Sequence, residues 1–345
     1  MIDRMQLWVL AIRDGFVTLL PLTFFGVAAV LAKHLPFSAY QSTMTNLFGD
    51  DWFFYLDHII TATHGIFGVA LTVVVSSKLA YRLNLMSDTG ARLPLMMVSV
   101  SALINFMLCM VDARSPSIAN WGLTSIFPSV VIGIASAEIL RVLTNTRFLN
   151  LIRMPYQTDP TVFISIRLSI PMIVTGLIFL LLARLRSELP PLTADVFDPL
   201  INWAQASGEG AWWLNTIATF INQVLWYLGI HGGNMLDAYG KGLFTPPGMP
   251  YSSDLGWRPL IDNFVFLGGS GATLSLLLAI GLVVKEGSQR RIAQLSAPMA
   301  IFNINESVLY GLPVVLNPLY LLPFIGVPIV LILLSVGAVE FGFFE

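Results

Sequence analysis

Ile301-Phe-Asn-Ile-Asn-Glu-Ser-Val-Leu-Tyr-Gly-Leu-Pro-Val-Val-Leu-Asn-Pro318 is apolar almost throughout, yet it holds one carboxylate, three asparagines and several helix breakers. With Pro298 upstream, Gly311, Pro313 and Pro318 argue against a plain helix over Ser296 to Pro318. A re-entrant hairpin suits them better, because irregular backbone at membrane depth must be buried in protein or line a cavity. Glu306 is ionisable in apolar surroundings, which is costly and by default marks a substrate or proton site. Its plainer reading is a glutamate paired to a helix end. Asn303, Asn305 and Asn317 add neutral donors and acceptors, the inventory that binds hydroxyl-rich ligands.

The rest of the chain supplies the membrane. Of its 345 residues 56% are apolar and only 11% charged, with a mean hydropathy of +0.77. A soluble domain carries roughly 25% charged residues, so too little charge is present for a water-exposed shell. The net charge of -2 gives nucleic acid no basic surface. The single cysteine, Cys109, lies in an apolar run and excludes a disulfide framework. Asp3, Arg4, Arg13 and Asp14 mix signs at the start, which is not the pattern of a cleavable signal.

Spanning the hydrocarbon takes about 20 apolar residues. Phe16 to Ala32, Ile59 to Ser77, Leu93 to Val111, Trp121 to Leu143 and Val162 to Ala183 read as five spans. Trp212 to Ile230, Pro259 to Val284 and Leu319 to the end read as three more. The fold class expected is all-α, a polytopic transmembrane helical protein with re-entrant hairpins in its C-terminal half. Residues 1–185 form regular helices, 186–210 a periplasmic connection with a short amphipathic helix at Leu200, Ile201 and Trp203, and 211–345 the half rich in polar groups at depth.

Lysine and arginine orient the spans. Lys78, Arg82, Arg92, Arg141, Arg147 and Arg153 fall on one side if the N-terminus is inside. Asp50, Asp51 and Asp57 fall on the other. Continuing the count puts Lys285, Arg290 and Arg291 outside, against the rule. One crossing between Trp212 and Val284 is therefore miscounted, and a broken helix or hairpin is expected around His231 to Arg258. Broken helices are where transporters keep their substrate sites.

Two further motifs lie nearby. In Trp226-Tyr-Leu-Gly-Ile-His-Gly-Gly-Asn234 a histidine ends an apolar helix and paired glycines let backbone approach a ligand. Trp226 could offer a sugar ring a flat apolar face, and an interfacial Trp with a helix-ending His-Gly pair explains the residues as well. Leu267-Gly-Gly-Ser-Gly-Ala-Thr273 lacks the spacing of a nucleotide fingerprint or P-loop. Small residues there also serve close helix packing.

These segments resemble the membrane-embedded IIC component of phosphotransferase-system sugar permeases, of the lactose/cellobiose/diacetylchitobiose kind. Asn303-Ile-Asn-Glu306 with its Gly-Leu-Pro and Asn-Pro sequel carries the likeness most specifically. Leu267 to Thr273, the Trp226-to-His231 spacing and Ala11-Ile-Arg-Asp-Gly-Phe-Val-Thr-Leu-Leu-Pro-Leu22 extend it over about residues 10 to 325. The resemblance implies a homodimer in a bacterial inner membrane, joined through its N-terminal half. It implies a disaccharide bound in the C-terminal half near Trp226, His231, Gly232, Asn234, Asn303, Asn305 and Glu306. Glu306 and His231 would act at the hydroxyl that receives phosphate from a separate phosphorylated IIB protein. No metal and no cofactor are implied. Ser307 stands where the family usually has proline, and members usually run on by about a quarter more sequence, so a shortened or cut permease is expected. A membrane sensor or anchor that binds sugar for an attached cytoplasmic signalling domain is the alternative.

Overall fold

The apolar run from Phe16 to Ala32, continued upstream through Arg13 and Asp14, holds its backbone hydrogen bonds within one helix, the condition for crossing lipid. It forms α1, Arg4–His34, and Pro21 inside it is tolerated as such residues are in membrane helices. The computed structural model describes residues 4–35, 37–86, 92–111, 121–146, 159–188, 212–228, 232–233, 236, 261–312, 314–315 and 317–343. The described residues form helices and no strands, and the chain divides into two units, Met1–Pro190 and Pro191–Glu345.

In the first unit α1 is followed by α2 (Ser38–Phe48), α3 (Phe53–Thr63), α4 (Phe67–Leu85), α5 (Leu95–Met110), α6 (Ile126–Thr144) and α7 (Pro160–Glu188). A short 3-10 turn at His64–Ile66 joins α3 to α4 within the single apolar stretch Asp50–Leu85. The central helix is α4, which packs on α1, α5 and α6. Its Leu71, Val75, Leu79 and Ala80 are fully buried. Small residues make the α4–α6 seam tight. A Cβ on Gly133 would lie 3.0 Å from the Thr72 carbonyl, and the Thr72 hydroxyl donates to the Ser129 carbonyl across the seam at 3.2 Å. Such close backbone approach is what holds helices together where lipid removes the hydrophobic drive. On α7, Ile166, Ile173, Leu177 and Leu181 stay exposed, the surface that hydrocarbon covers.

Charged side chains gather at the helix ends. Asp14 of α1 pairs with Arg82 of α4, and Glu138 of α6 accepts from Trp8 Nε1 and Arg141 Nε, both at 2.9 Å. Lys33 and Asp57 pair at the other end of α1. Arg82 and Arg141, two of the residues that set the expected orientation, thus lie towards the end of the unit where α1 begins.

The second unit holds α8 (Trp212–Tyr227), a π-helical turn (Ile261–Val265), α9 (Thr273–Val283), α10 (Ser288–Ala300), α11 (Glu306–Gly311) and α12 (Pro318–Glu340). Among the described residues five stretches are long and apolar enough to cross a membrane: Arg4–His34, Asp50–Leu85, Ile126–Thr144, Val162–Leu185 and Pro318–Ala338.

Two expectations change. Pro259 to Val284 is not one span, because Gly268, Gly269 and Gly271 all take positive φ and end the π-turn, leaving 11-residue α9. At 1.5 Å per residue that is about 16 Å, short of the ~30 Å hydrocarbon core. Leu93 to Val111 shortens to 16-residue α5, about 24 Å by the same rise. The aspartate-rich connection after α1 contains α2, which buries none of its residues. Among its described residues Ser296 to Pro318, expected as a re-entrant hairpin, holds the end of α10, a turn and six-residue α11. His231, Asn234 and the amphipathic helix expected at Leu200 to Trp203 lie outside the described residues.

Candidate functional site

The glycine segment Leu267–Thr273 is built to bring backbone close to other groups. Gly269 sits at φ +93, and a Cβ there would lie 2.5 Å from Asn305 Cγ. Only glycine takes that conformation without strain and leaves the space. The turn's freed donors and acceptors are met one by one, as burial requires. Leu274 N–H donates to Leu267 O at 3.1 Å, and the Thr273 hydroxyl donates to Gly268 O.

Asparagines stitch this turn to the segment that precedes α11. Asn303 accepts from Gly268 N–H at 2.9 Å and donates to Asp262 O at 2.8 Å. It does so from a left-handed backbone, φ 61, a conformation asparagine tolerates better than most residues. Asn305, 2% exposed, donates its amide to Ser270 O at 2.6 Å.

Asn222 of α8 completes the junction by donating to the Ser270 hydroxyl at 3.1 Å. Gly232 then approaches Asn222 so closely that a Cβ would lie 2.5 Å from its side-chain oxygen. Trp226, one turn beyond Asn222, is buried in one apolar cluster with Val308 and Leu309 of α11. The structure therefore draws together Trp226, Gly232, Asn303, Asn305 and Glu306. Asn222 and Ser270, which the sequence reading did not single out, are the hubs that join them.

Glu306 opens α11. The backbone amides of Asn305 and Glu306 lie against its carboxylate, while its Oε2 is buried with no hydrogen-bond partner among the described residues. Neighbouring Ser307 Oγ is in the same condition. Tyr310, four residues on and so on the same helical face, interacts electrostatically with Glu306. One carboxylate among neutral amides and hydroxyls is an array that binds hydroxyl groups and accepts a proton from one of them.

Among the described residues no group of three or more His, Cys, Asp and Glu could hold a metal ion. An open hollow of about 520 Å³ in the first unit is lined by Lys33, His34, Leu35, Ser38, Gln41 and Phe53 and contains none of the candidate residues.

Known proteins resemble this chain. The chain is 28% identical to the lichenan permease IIC component of Bacillus subtilis (strain 168), over 94% of this chain and 75% of that protein. It is 27% identical to the PTS system cellobiose-specific EIIC component of Geobacillus stearothermophilus, over 90% of this chain and 72% of that one. Among solved structures it resembles the transporter ChbC, the IIC component from the N,N'-diacetylchitobiose-specific phosphotransferase system. That likeness has a TM-score of 0.56 and 25% identity, and it covers 98% of this chain and 82% of the other. The family model described as "Phosphotransferase system, EIIC" matches residues 13–328, a range that takes in both units and every residue of the junction around Ser270, and the chain belongs to that family.

Proposed function

We propose that this membrane permease component binds a disaccharide in its second unit and carries it across the membrane, while a phosphorylated IIB protein phosphorylates it. The observation that carries the reading is Glu306. Its buried, unpartnered Oε2 opens the helix that follows the asparagine-stitched glycine turn. A carboxylate so placed orients one sugar hydroxyl and takes its proton as phosphate is transferred. The names of the relatives support a disaccharide, since they include cellobiose-, lactose- and diacetylchitobiose-specific components.

Within this reading Trp226 supplies the flat apolar face, and Asn303 and Asn305 hold the turn and offer amides to the ring. His231, Gly232 and Asn234 complete the sugar's surroundings. Residues 211–345 form the sugar-binding half, 186–210 a periplasmic connection, and 1–185 the half through which two copies pair. The sensor reading has no observation in its favour.

Reconstituted chain in proteoliposomes tests the proposal, with tritiated cellobiose, diacetylchitobiose and lactose exchanged across the bilayer. Saturable exchange of one of the three is expected. Failure of all three to bind or exchange overturns the disaccharide assignment.

A further inference from the structure

Helix α8 is amphipathic in the inverted sense. Asn215, Thr219, Asn222, Gln223 and Trp226 fall on one face, within about 100° of arc, and the first four are no more than 1% exposed. Ile217 and Phe220 on the far side are 42% and 49% exposed. Between the two runs an apolar seam in which Ala218 and Ile221 meet Ile261, Val265 and Ile332. A helix with polar residues inward and apolar residues outward suits lipid on one side and a polar path on the other.

Thr219, Asn222 and Gln223 keep polar atoms that the protein's own hydrogen bonds do not use. Asn222 uses its amide nitrogen on Ser270, but its Oδ1 has no partner among the described residues. Neither Thr219 Oγ1 nor either polar atom of Gln223 has one. Gln223 is fully buried, and burying an amide with neither donor nor acceptor met is costly. A residue kept there against that cost is suited to a neutral ligand that presents both hydroxyl donors and acceptors. Carboxylate or phosphate would find no cation on the stripe, and an apolar ligand would leave the amide unmet.

We infer that Gln223, with Thr219, hydrogen-bonds the sugar ring that is not phosphorylated and so selects among disaccharides. This rests on the proposed sugar site and extends it. Gln223 precedes Trp226 by three residues and lies about one turn, ~5 Å, along the same face. That step is of the order of one sugar ring. If Trp226 takes the ring whose hydroxyl meets Glu306, the amide one turn away meets the second ring.

Equilibrium binding of tritiated cellobiose, diacetylchitobiose and lactose to the purified full chain tests the inference. Gln223→Leu keeps the bulk and removes both polar atoms. It is expected to weaken the best-bound sugar about tenfold or more, the loss of one or two buried hydrogen bonds, and to flatten the preference among the three. Gln223→Asn keeps the amide but shortens its reach, and is expected to change the ranking. It stands in if the leucine variant does not purify as a single species. Ile217→Ala, on the exposed face, is expected to bind as the wild type does. Unchanged affinity and ranking in both Gln223 variants, with the wild type binding normally, overturns this inference alone. A wild type that binds none of the three overturns the sugar site beneath it.

Discussion

Asn305 gives its side-chain amide to the carbonyl of Ser270 at 2.6 Å, and Ser270 takes a second amide, from Asn222, on its hydroxyl at 3.1 Å. One serine thus ties together α8, the glycine turn and the segment leading to Glu306. All three partners are at least 93% buried. Low dielectric strengthens such bonds and makes each broken one expensive, so the position of Glu306 depends on a residue in another helix.

The two asparagines should therefore be energetically coupled. In a double-mutant cycle of Asn222→Ala and Asn305→Ala, read by thermal unfolding in detergent, an interaction energy of about 0.5–3 kcal/mol is expected. Strictly additive losses would mean that Ser270 transmits nothing between them.

Gly269→Ala should disrupt the same junction sterically. The new Cβ meets Asn305 Cγ at 2.5 Å from a backbone at φ +93, and left-handed strain costs of order 1–3 kcal/mol before any clash. The variant should lose sugar binding and melt at a lower temperature. Wild-type binding and melting together would show that the turn relaxes freely.

Glu306→Gln should keep the fold and lose phosphorylation, since an amide cannot take the hydroxyl proton. Binding of the disaccharide should fall less than turnover, because an amide still hydrogen-bonds a hydroxyl. Wild-type phosphorylation in such membranes, with phosphorylated IIB supplied, would remove Glu306 from the chemistry.

Orientation can be read from single cysteines in a Cys109→Ser background. Ser38 opens α2 just beyond α1, and Ser288 opens α10 beside Arg290 and Arg291; both are exposed. An impermeant thiol reagent added to intact cells should label Ser38→Cys and spare Ser288→Cys. Labelling of Ser288→Cys from outside would place the basic cluster on the outer side, against the charge rule.

Long apolar runs were legible in the sequence because length and composition alone decide them. Phe16 to Ala32, Trp121 to Leu143 and Val162 to Ala183 all lie within or across helices of the structure. The failed charge count pointed between Trp212 and Val284, and one break lies there, at Gly268 to Ala272; the expected His231 to Arg258 stretch falls almost wholly outside the described residues. Composition reads three glycines among leucines as membrane, whereas their positive φ values appear only once partners such as Asn303 and Asn305 are in place. Asn215, Thr219, Asn222 and Gln223 were visible at helical spacing, but hydropathy averages them into the surrounding Leu, Ile and Trp. Asn222 became a hub only through Ser270, 48 residues away, and no local pattern encodes that pairing.

The inverted face of α8 also bears on how the chain is made. A helix meets the translocon before its later partners exist, and its insertion depends on its own apolar character. With five asparagine, threonine and glutamine side chains in 16 residues, α8 partitions poorly by itself. Its apolar seam is completed by the π-turn and α12, synthesised some 35 to 120 residues later. Until then α8 must wait at the channel or be sheltered by other protein, which leaves its insertion open to quality control.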